Sequence, residues 1–319
     1  MMKAVTIDRY GSSDVLQYRD VEQPVPTGNA VLVRVRASSV NPIDWKIRRG
    51  DLALLSGFDF PRPLGADVAG IVEAVGDTAT QFQPGDEVFG FGNPLNSGTY
   101  AEFATLPESQ LALKPKNVSF EEAAAAPLAG LTAMQALLDL GELRPGCSVL
   151  VNGASGGVGE FAVQIAKTFS ATVTGVCSEA NLEIVRHLGA DAVIDYTRED
   201  FTHQAARYDL VFDAVGKRTF TDCRRVLKPE GIFVSTLPSP ELLASIAQTL
   251  LFSGQKAKLI LAQPKSRDLQ ALCELMEDGK VKSQIDRTYP LSEIAAAHNY
   301  SETGRAKGKI VLTVDVGEQ

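Results

Sequence analysis

The chain has 319 residues, 45% of them hydrophobic and 22% charged, with a formal net charge of −8. That length exceeds one ordinary core and implies about two domains, and an acidic balance without a stripe of Lys and Arg argues against a nucleic-acid partner. No apolar run reaches the length of a membrane span, and the four scattered cysteines, Cys147, Cys177, Cys223 and Cys273, argue against a disulfide framework or a structural zinc lobe. The N-terminus enters a strand pattern at once, so no leader segment is expected, and the cysteine usage argues for a reducing compartment, so a cytoplasmic location is expected.

Residues 3–8, 30–38, 70–75, 87–90 and 100–107 read as strands, separated by turns such as 84–86 and 92–98. Together they predict an irregular β-barrel. From about residue 121 the pattern changes. Ser119 with Glu122 has the form of a capping box, and helices are expected over 119–126 and 131–140. Strands at 148–152, 171–176, 192–195, 210–213 and 231–235 then alternate with helices at 160–170, 182–188 and 219–227. Such alternation predicts an α/β, doubly wound parallel sheet. After a helix at 266–278 the alternation weakens, and a strand at 309–314 is expected to return to the first domain. The predicted domains are therefore 1–121 with 265–319, and 122–264.

The most informative stretch is 150–159, Leu-Val-Asn-Gly-Ala-Ser-Gly-Gly-Val-Gly. Ala154, Gly156 and Gly159 fall on the spacing of the dinucleotide fingerprint, with Ala in place of the first glycine. The small residues let the backbone turn tightly and approach a pyrophosphate at a helix N-terminus. Ala154, Ser155, Gly156, Gly157 and Val158 are thus candidate phosphate-binding residues. NAD enzymes usually carry an acid at the end of the second strand. Here that position is Cys177, followed by Ser178, which favours NADPH. The positive partner of its 2′-phosphate is left open among Lys167, Arg186 and Arg198.

Several further stretches carry a resemblance. They are Val40-Asn41-Pro42-Ile43-Asp44, Leu64-Gly65-Ala66-Asp67-Val68-Ala69-Gly70, Pro84-Gly85-Asp86-Glu87-Val88, Pro127-Leu128-Ala129-Gly130-Leu131-Thr132-Ala133 and Gly308-Lys309-Ile310-Val311. With the loop at 153–159, they resemble the medium-chain dehydrogenase/reductase superfamily over essentially the whole chain. The zinc-free quinone oxidoreductase and enone oxidoreductase branch is the most similar, including the chloroplast-envelope quinone oxidoreductase homologues. The resemblance implies a GroES-like barrel domain and a Rossmann domain. It also implies that the positions of a Cys and a His zinc ligand hold Asn41 and Ala66, so no metal site is expected. His187, His203 and His298 are read as lying in helical or surface-like contexts.

Hydride transfer to a quinone or enone builds negative charge on a carbonyl oxygen, which needs a donor aimed at it. The resemblance points to Lys46 as that donor and as a ligand of the cofactor ribose, and to Asn41 as a second donor. Asp67 is expected to pair with Lys46. Ser178, Asn181 and Tyr196 match positions that meet the 2′-phosphate, although relatives often carry Arg or Lys near Ala180 and this chain does not. Thr132, Leu237, Arg305 and Lys307 match positions near the cofactor. Trp45, Phe58, Phe60, Phe91 and Tyr100 are expected to line an apolar substrate cleft. An apolar run over 242–261, interrupted at Ser253-Gly254, follows a predicted strand and implies a homodimer, or alternatively a helix covering the sheet. The implied activity is NADPH-dependent reduction of a small-molecule quinone or enone. The competing possibility is a dinucleotide-binding regulatory or assembly protein with little turnover.

Overall fold

The computed structural model describes residues 1–251 and 254–315; Ser253, within the apolar run noted above, lies outside the described residues. The chain forms two compact units, Met1–Leu128 with Pro264–Gly279 and the residues from Ser283 onward, and Ala129–Gln263 with Lys280–Lys282.

The first unit begins with β1 (Met2–Ile7), β2 (Leu16–Val21) and β3 (Ala30–Val40), then two helices, α1 (Pro42–Arg49) and α2 (Ala53–Ser56). It continues through β4 (Arg62–Pro63), β5 (Asp67–Val75), β6 (Glu87–Phe91), β7 (Phe103–Pro107), β8 (Leu111–Leu113) and α3 (Phe120–Ala125). β3 is the spine, pairing antiparallel with both β5 and β7, while β5 continues to β6 and β8. Val31, Val33, Val35, Val68, Val72, Val88, Leu106 and Leu111 fill the core between these strands. β-Branched residues dominate because they pack well on a pleated surface.

Two boundaries differ from the sequence expectation for reasons of pairing. β5 starts at Asp67 because Asp67–Gly70 pairs with β6. The strand expected from residue 100 starts at Phe103, because Tyr100 bonds Val5 and Leu64 through its backbone instead. The capping box at Ser119 and Glu122 is present. Helix α1 was not anticipated, although Pro42 at its first position and Gly50 at its left-handed C-cap (φ 86°) are ordinary helix signals. The first unit also reaches Leu128, beyond the boundary expected at 121. The Leu128 N–H donates to buried Asp67 (2.8 Å), which ties this stretch to β5.

Helix α4 (Pro127–Gln135) enters the second unit at Ala129 and passes into a π-turn at 136–140, then come β9 (Ser148–Asn152), α5 (Gly157–Thr168), β10 (Thr172–Cys177), α6 (Leu182–His187), β11 (Ala192–Asp195), β12 (Tyr208–Asp213), α7 (Phe220–Cys223), β13 (Leu227–Ser235), α8 (Pro240–Leu251) and β14 (Lys256–Leu259). The sheet order is β11-β10-β9-β12-β13-β14, with every pair parallel. This is the Rossmann order, whose direction of winding reverses between β9 and β12. Leu150, Val151, Val176, Val211, Phe212 and Phe233 are buried, as strands covered on both faces require. The apolar run at 242–261 resolves into α8 and the edge strand β14. Leu243, Leu250, Leu251 and Leu261 stand exposed on it.

The chain returns to the first unit with α9 (Ser266–Glu277), β15 (Ile285–Pro290), α10 (Ile294–Glu302) and β16 (Lys309–Thr313). β16 pairs antiparallel with the end of β3, Ile310 facing Val40 and Thr313 facing Ala37. The returning strand thereby brings Lys309 beside the loop that carries Asn41. Among the described residues, no helix is long and apolar enough to cross a membrane.

Candidate active site and cofactor cradle

The loop after β9 sits at the topological switch point of the Rossmann sheet. Gly153 adopts φ +83°, and a Cβ there would meet Val215 at 2.2 Å. Gly156 caps α5, whose first hydrogen bond runs from the Glu160 N–H to the Gly156 carbonyl (2.9 Å). The N–H groups of Gly157, Val158 and Gly159 precede that bond and have no acceptor within the helix. A Cβ on Gly159 would lie 2.1 Å from the Gly153 carbonyl oxygen, so the helix can close onto the loop only with glycine there. The result is a row of backbone donors at a positive helix end, a cradle that fits a dinucleotide pyrophosphate.

A second feature fixes the neighbouring loop. Buried Asp213, at the end of β12, accepts from Asn152 Nδ2 (2.9 Å) and from the N–H groups of Val215 (3.1 Å), Gly216 (3.0 Å) and Arg218 (2.9 Å). Leu237 follows β13 with its N–H on Ser235 Oγ (3.3 Å), and its side chain occupies the space a Gly216 Cβ would need. Asp213 and Asn152 were not singled out from sequence. Their signal is only a polar residue at the carboxyl end of each of two apolar strands.

At the end of β10 lie the residues on which the expectation about cofactor choice rests. Cys177 is buried, and burial pushes its thiol up to about 11. Half-exposed Ser178 is the first side chain beyond the strand. Asn181 Nδ2 donates to Ser155 Oγ (3.0 Å), linking this turn to the phosphate loop, while the buried Asn181 Oδ1 has no partner. The Tyr196 N–H bonds the Cys177 carbonyl (3.1 Å), and its ring is exposed. Thr132 lies in α4. Thr132, Ala154, Ser155, Gly156, Gly157, Val158, Ser178, Asn181, Tyr196 and Leu237 thus belong to the second unit, and Asn41, Lys46, Arg305 and Lys307 to the first.

In the first unit, Asn41 and Asp67 anchor a buried polar network. Asn41 Nδ2 donates to Asp67 Oδ2 (2.7 Å) and its Oδ1 accepts from Lys309 Nζ (2.6 Å). Lys309 Nζ lies 3.6 Å from Asp67 Oδ2, with only 4% of the lysine side chain and none of the aspartate exposed. Asp67 also accepts from Ser39 Oγ and the Leu128 N–H. Two expectations are corrected here. The cation facing Asp67 is Lys309, not Lys46, because β16 carries Lys309 in alongside β3. Asn41 also has both ends of its amide occupied inside the network and is not a free donor. Lys309 stood within a recognised motif, but a buried lysine cannot be told from an exposed one in a single strand pattern.

Beneath this network, Asp44 accepts from the Asn41 N–H (2.7 Å) and from Tyr100 Oη (2.8 Å). Burial raises its carboxyl to about 7, a shift opposed mainly by the Asn41 bond. Tyr100 and Phe91, expected in a cleft, are core residues. Phe58 is exposed, Phe60 packs edge-on against Tyr10 at 5.1 Å, and Trp45 Nε1 donates to Ser301 Oγ (3.2 Å). His298, read as helical or surface-like, is fully buried on α10 with its ring 5.8 Å from that of Tyr100. Burial pushes its imidazole down to about 3.

Lys46 is half-buried on α1, its ammonium 5.7 Å from the Trp45 ring centre. Burial pulls its pKa below the ordinary lysine value, a pull that Asp51 opposes. Among the described residues no carboxylate lies within ion-pair distance of it, so its charge is available to a ligand. Arg305 and Lys307 are exposed, and the Lys307 N–H bonds Asp286 (3.2 Å).

Comparison with known proteins agrees with the two-domain fold. Residues 27–116 match the family described as Alcohol dehydrogenase GroES-like domain, and residues 188–312 the one described as Zinc-binding dehydrogenase. The chain is 35% identical over 323 residues to the chloroplast envelope quinone oxidoreductase homolog of Arabidopsis thaliana, covering 98% of both chains. The protein belongs to the medium-chain dehydrogenase/reductase superfamily. A second superfamily relative, the 2-methylene-furan-3-one reductase of Solanum lycopersicum, is 37% identical over 324 residues, 98% of this chain and 79% of that one. Among solved structures, the quinone oxidoreductase from Coxiella burnetii superposes with a TM-score of 0.90 at 34% identity, covering 98% of this chain and 99% of that one. This superfamily member is an NAD(P)H-dependent oxidoreductase. The zinc named in one family description does not fit the residues here. Asn41 and Ala66 offer an amide and a methyl, and the adjacent cation is the Lys309 ammonium. Among the described residues, no group of three or more His, Cys, Asp and Glu gathers to hold a metal.

Proposed function

We propose that this oxidoreductase uses NADPH, without zinc, to reduce quinones or α,β-unsaturated carbonyls. The observation that supports the reading is the Asn41–Asp67–Lys309 network: the Asn41 amide, at a position the resemblance assigns to a zinc ligand, is taken up by Asp67 and by the buried Lys309 ammonium, whose charge opposes a metal cation beside it. A saturated alcohol must lose its O–H proton as hydride departs. A conjugated acceptor needs only stabilisation of negative charge on its oxygen. The nicotinamide supplies the hydride. The loop Gly153–Gly159 holds the pyrophosphate, Ser178, Asn181 and Tyr196 meet the ribose end, and Lys46 donates to the acceptor oxygen or to the cofactor ribose. With no dedicated acid assigned, the enolate takes its proton from water.

NADPH oxidation should be followed against a panel of quinones, 2-alkenals and exocyclic enones, with metal content measured on the same sample. Turnover without stoichiometric zinc is the expected result. Tight NADPH binding without turnover of any acceptor would instead favour the regulatory or assembly role. One tightly held zinc per chain would overturn the zinc-free mechanism. The same reading pairs two copies through edge strand β14 and the exposed leucines of α8, since an open edge with apolar flanks invites pairing. A monomer mass by light scattering would refute that pairing.

A further inference from the structure

Of the three cations left open by the sequence, the structure separates one. Lys167 Nζ bonds both oxygens of Asp191 (2.8 and 2.9 Å) and the Ala171 carbonyl (2.9 Å). Ala171 precedes β10, so this lysine is held at the opposite end of the strand from Ser178. Arg186 pairs with Glu183, one turn earlier on the same helix. Arg198 is different. It follows β11, the neighbour of β10, and its guanidinium pairs with Glu179, immediately after Ser178, and lies 3.6 Å from Asp195.

The backbone around Arg198 is fixed to the end of β10. The Tyr196 N–H bonds the Cys177 carbonyl (3.1 Å), and the N–H groups of Arg198 (3.1 Å) and Glu199 (3.0 Å) bond the Asp195 carbonyl. Thr197 closes the turn through its N–H (2.9 Å) and hydroxyl (2.8 Å) on Asp195 Oδ1. The stem of Arg198 is therefore anchored, while its side chain is 70% exposed and that of Glu179 is 61% exposed. An ion pair so open to solvent holds its partners weakly. In a Rossmann unit the end of the second strand is where the adenosine ribose lies.

We propose that Arg198 is the cation that selects the 2′-phosphate of NADPH, and that Glu179 holds it until the phosphate arrives. This rests on the proposed preference for NADPH and names the residue behind it. The planar guanidinium can take two phosphate oxygens at once, an exchange of one exposed carboxylate for a more highly charged partner. Ser178 and Tyr196 flank the same place with hydroxyl groups. Glu179 acts in two ways. It competes with the phosphate for Arg198, and left unpaired it would repel the phosphate or accept from the 2′-hydroxyl of NADH.

The test is equilibrium binding, by calorimetry, of NADPH, NADH, 2′,5′-ADP and 5′-AMP to the wild-type protein, Arg198→Met, Glu179→Gln and the double variant. Arg198→Met should weaken NADPH and 2′,5′-ADP by ~10- to 100-fold, the scale of a charge-assisted bidentate contact, and leave NADH and 5′-AMP within about twofold. Glu179→Gln should strengthen NADPH a few-fold, and the gain should vanish in the double variant. If Arg198→Met weakens all four ligands alike, or none, Arg198 does not select the phosphate. If the wild-type protein binds NADPH no more tightly than NADH, the preference itself falls, a result readable before any variant is made.

Discussion

Replacing Lys309 by Met removes one charge from the buried network and keeps the length of the stem. Asp67 is fully buried and Lys309 nearly so, with Nζ 3.6 Å from the carboxylate oxygen. At an effective dielectric of ~20 the pair attracts by about 5 kcal/mol before desolvation is counted. Breaking a buried pair by removing one partner typically costs about 3–5 kcal/mol, because the remaining charge stays uncompensated. Asp67 keeps three donors, Asn41 Nδ2, Ser39 Oγ and the Leu128 N–H, which sets the expectation near the lower end, about 3 kcal/mol. The single tryptophan, Trp45, lies on α1 in the same unit, so its fluorescence during urea unfolding reports the affected part. Lys309→Met should lower stability by that amount, and adding Asp67→Asn should recover more than half of it, since the double change removes the stranded charge. A cost below about 1 kcal/mol, or strict additivity of the two changes, would show that the ammonium does not compensate Asp67.

Lys46→Met should slow hydride transfer in single-turnover experiments by ~10²-fold if the ammonium meets the developing oxyanion. If it holds the ribose instead, NADPH affinity falls while the step at saturating cofactor is unchanged; with neither effect, Lys46 leaves the site. The wild-type rate should also fall with rising pH at a midpoint below the ordinary lysine value, because burial favours the neutral amine and only the ammonium donates charge. Asp44 has a native value of about 7 against 3.8 for an unperturbed aspartate, so the folded state holds a proton that the unfolded chain releases. Its contribution is complete below about pH 4 and lost as pH rises through about 7, up to ~4 kcal/mol in total. Asp44→Asn, which can still accept from Asn41 and Tyr100, should flatten stability across that window in urea titrations. A pH profile unchanged by Asp44→Asn would sink the assignment. Gly159→Ala should weaken NADPH binding at least ~10-fold by calorimetry, since the new Cβ would press on the Gly153 carbonyl at 2.1 Å. Wild-type affinity in that variant would mean that the loop can relax without loss.

The sequence alone determined the parts of this protein that depend on local pattern. Strand and helix alternation after Ser119 required a parallel sheet, and the spacing of Ala154, Gly156 and Gly159 picked out the tight turn from β9 into α5, because both follow from what a few consecutive residues allow the backbone to do. The expectation of no zinc at Asn41 and Ala66 came instead from the family resemblance, which supplies the ligand positions that spacing and composition do not. Tertiary structure decided which side chains meet. Lys309 lies in a recognised motif and Lys46 just after one, yet the antiparallel pairing of β16 with β3 buries Lys309 against Asp67, while Lys46 has no carboxylate within ion-pair distance among the described residues. Tyr100 and Phe91 have the composition of a cleft lining, but β6 turns Phe91 into the core and the backbone bonds of Tyr100 to Val5 and Leu64 hold its ring there too, while His298 is buried on α10 near Tyr100. Arg198, one of three open cations in the sequence, is singled out only because β11 lies beside β10 and its following turn is bonded to Cys177. Burial and pairing across distant segments are properties of the closed sheet, and a linear pattern carries the period of a strand but not the partner that will face it.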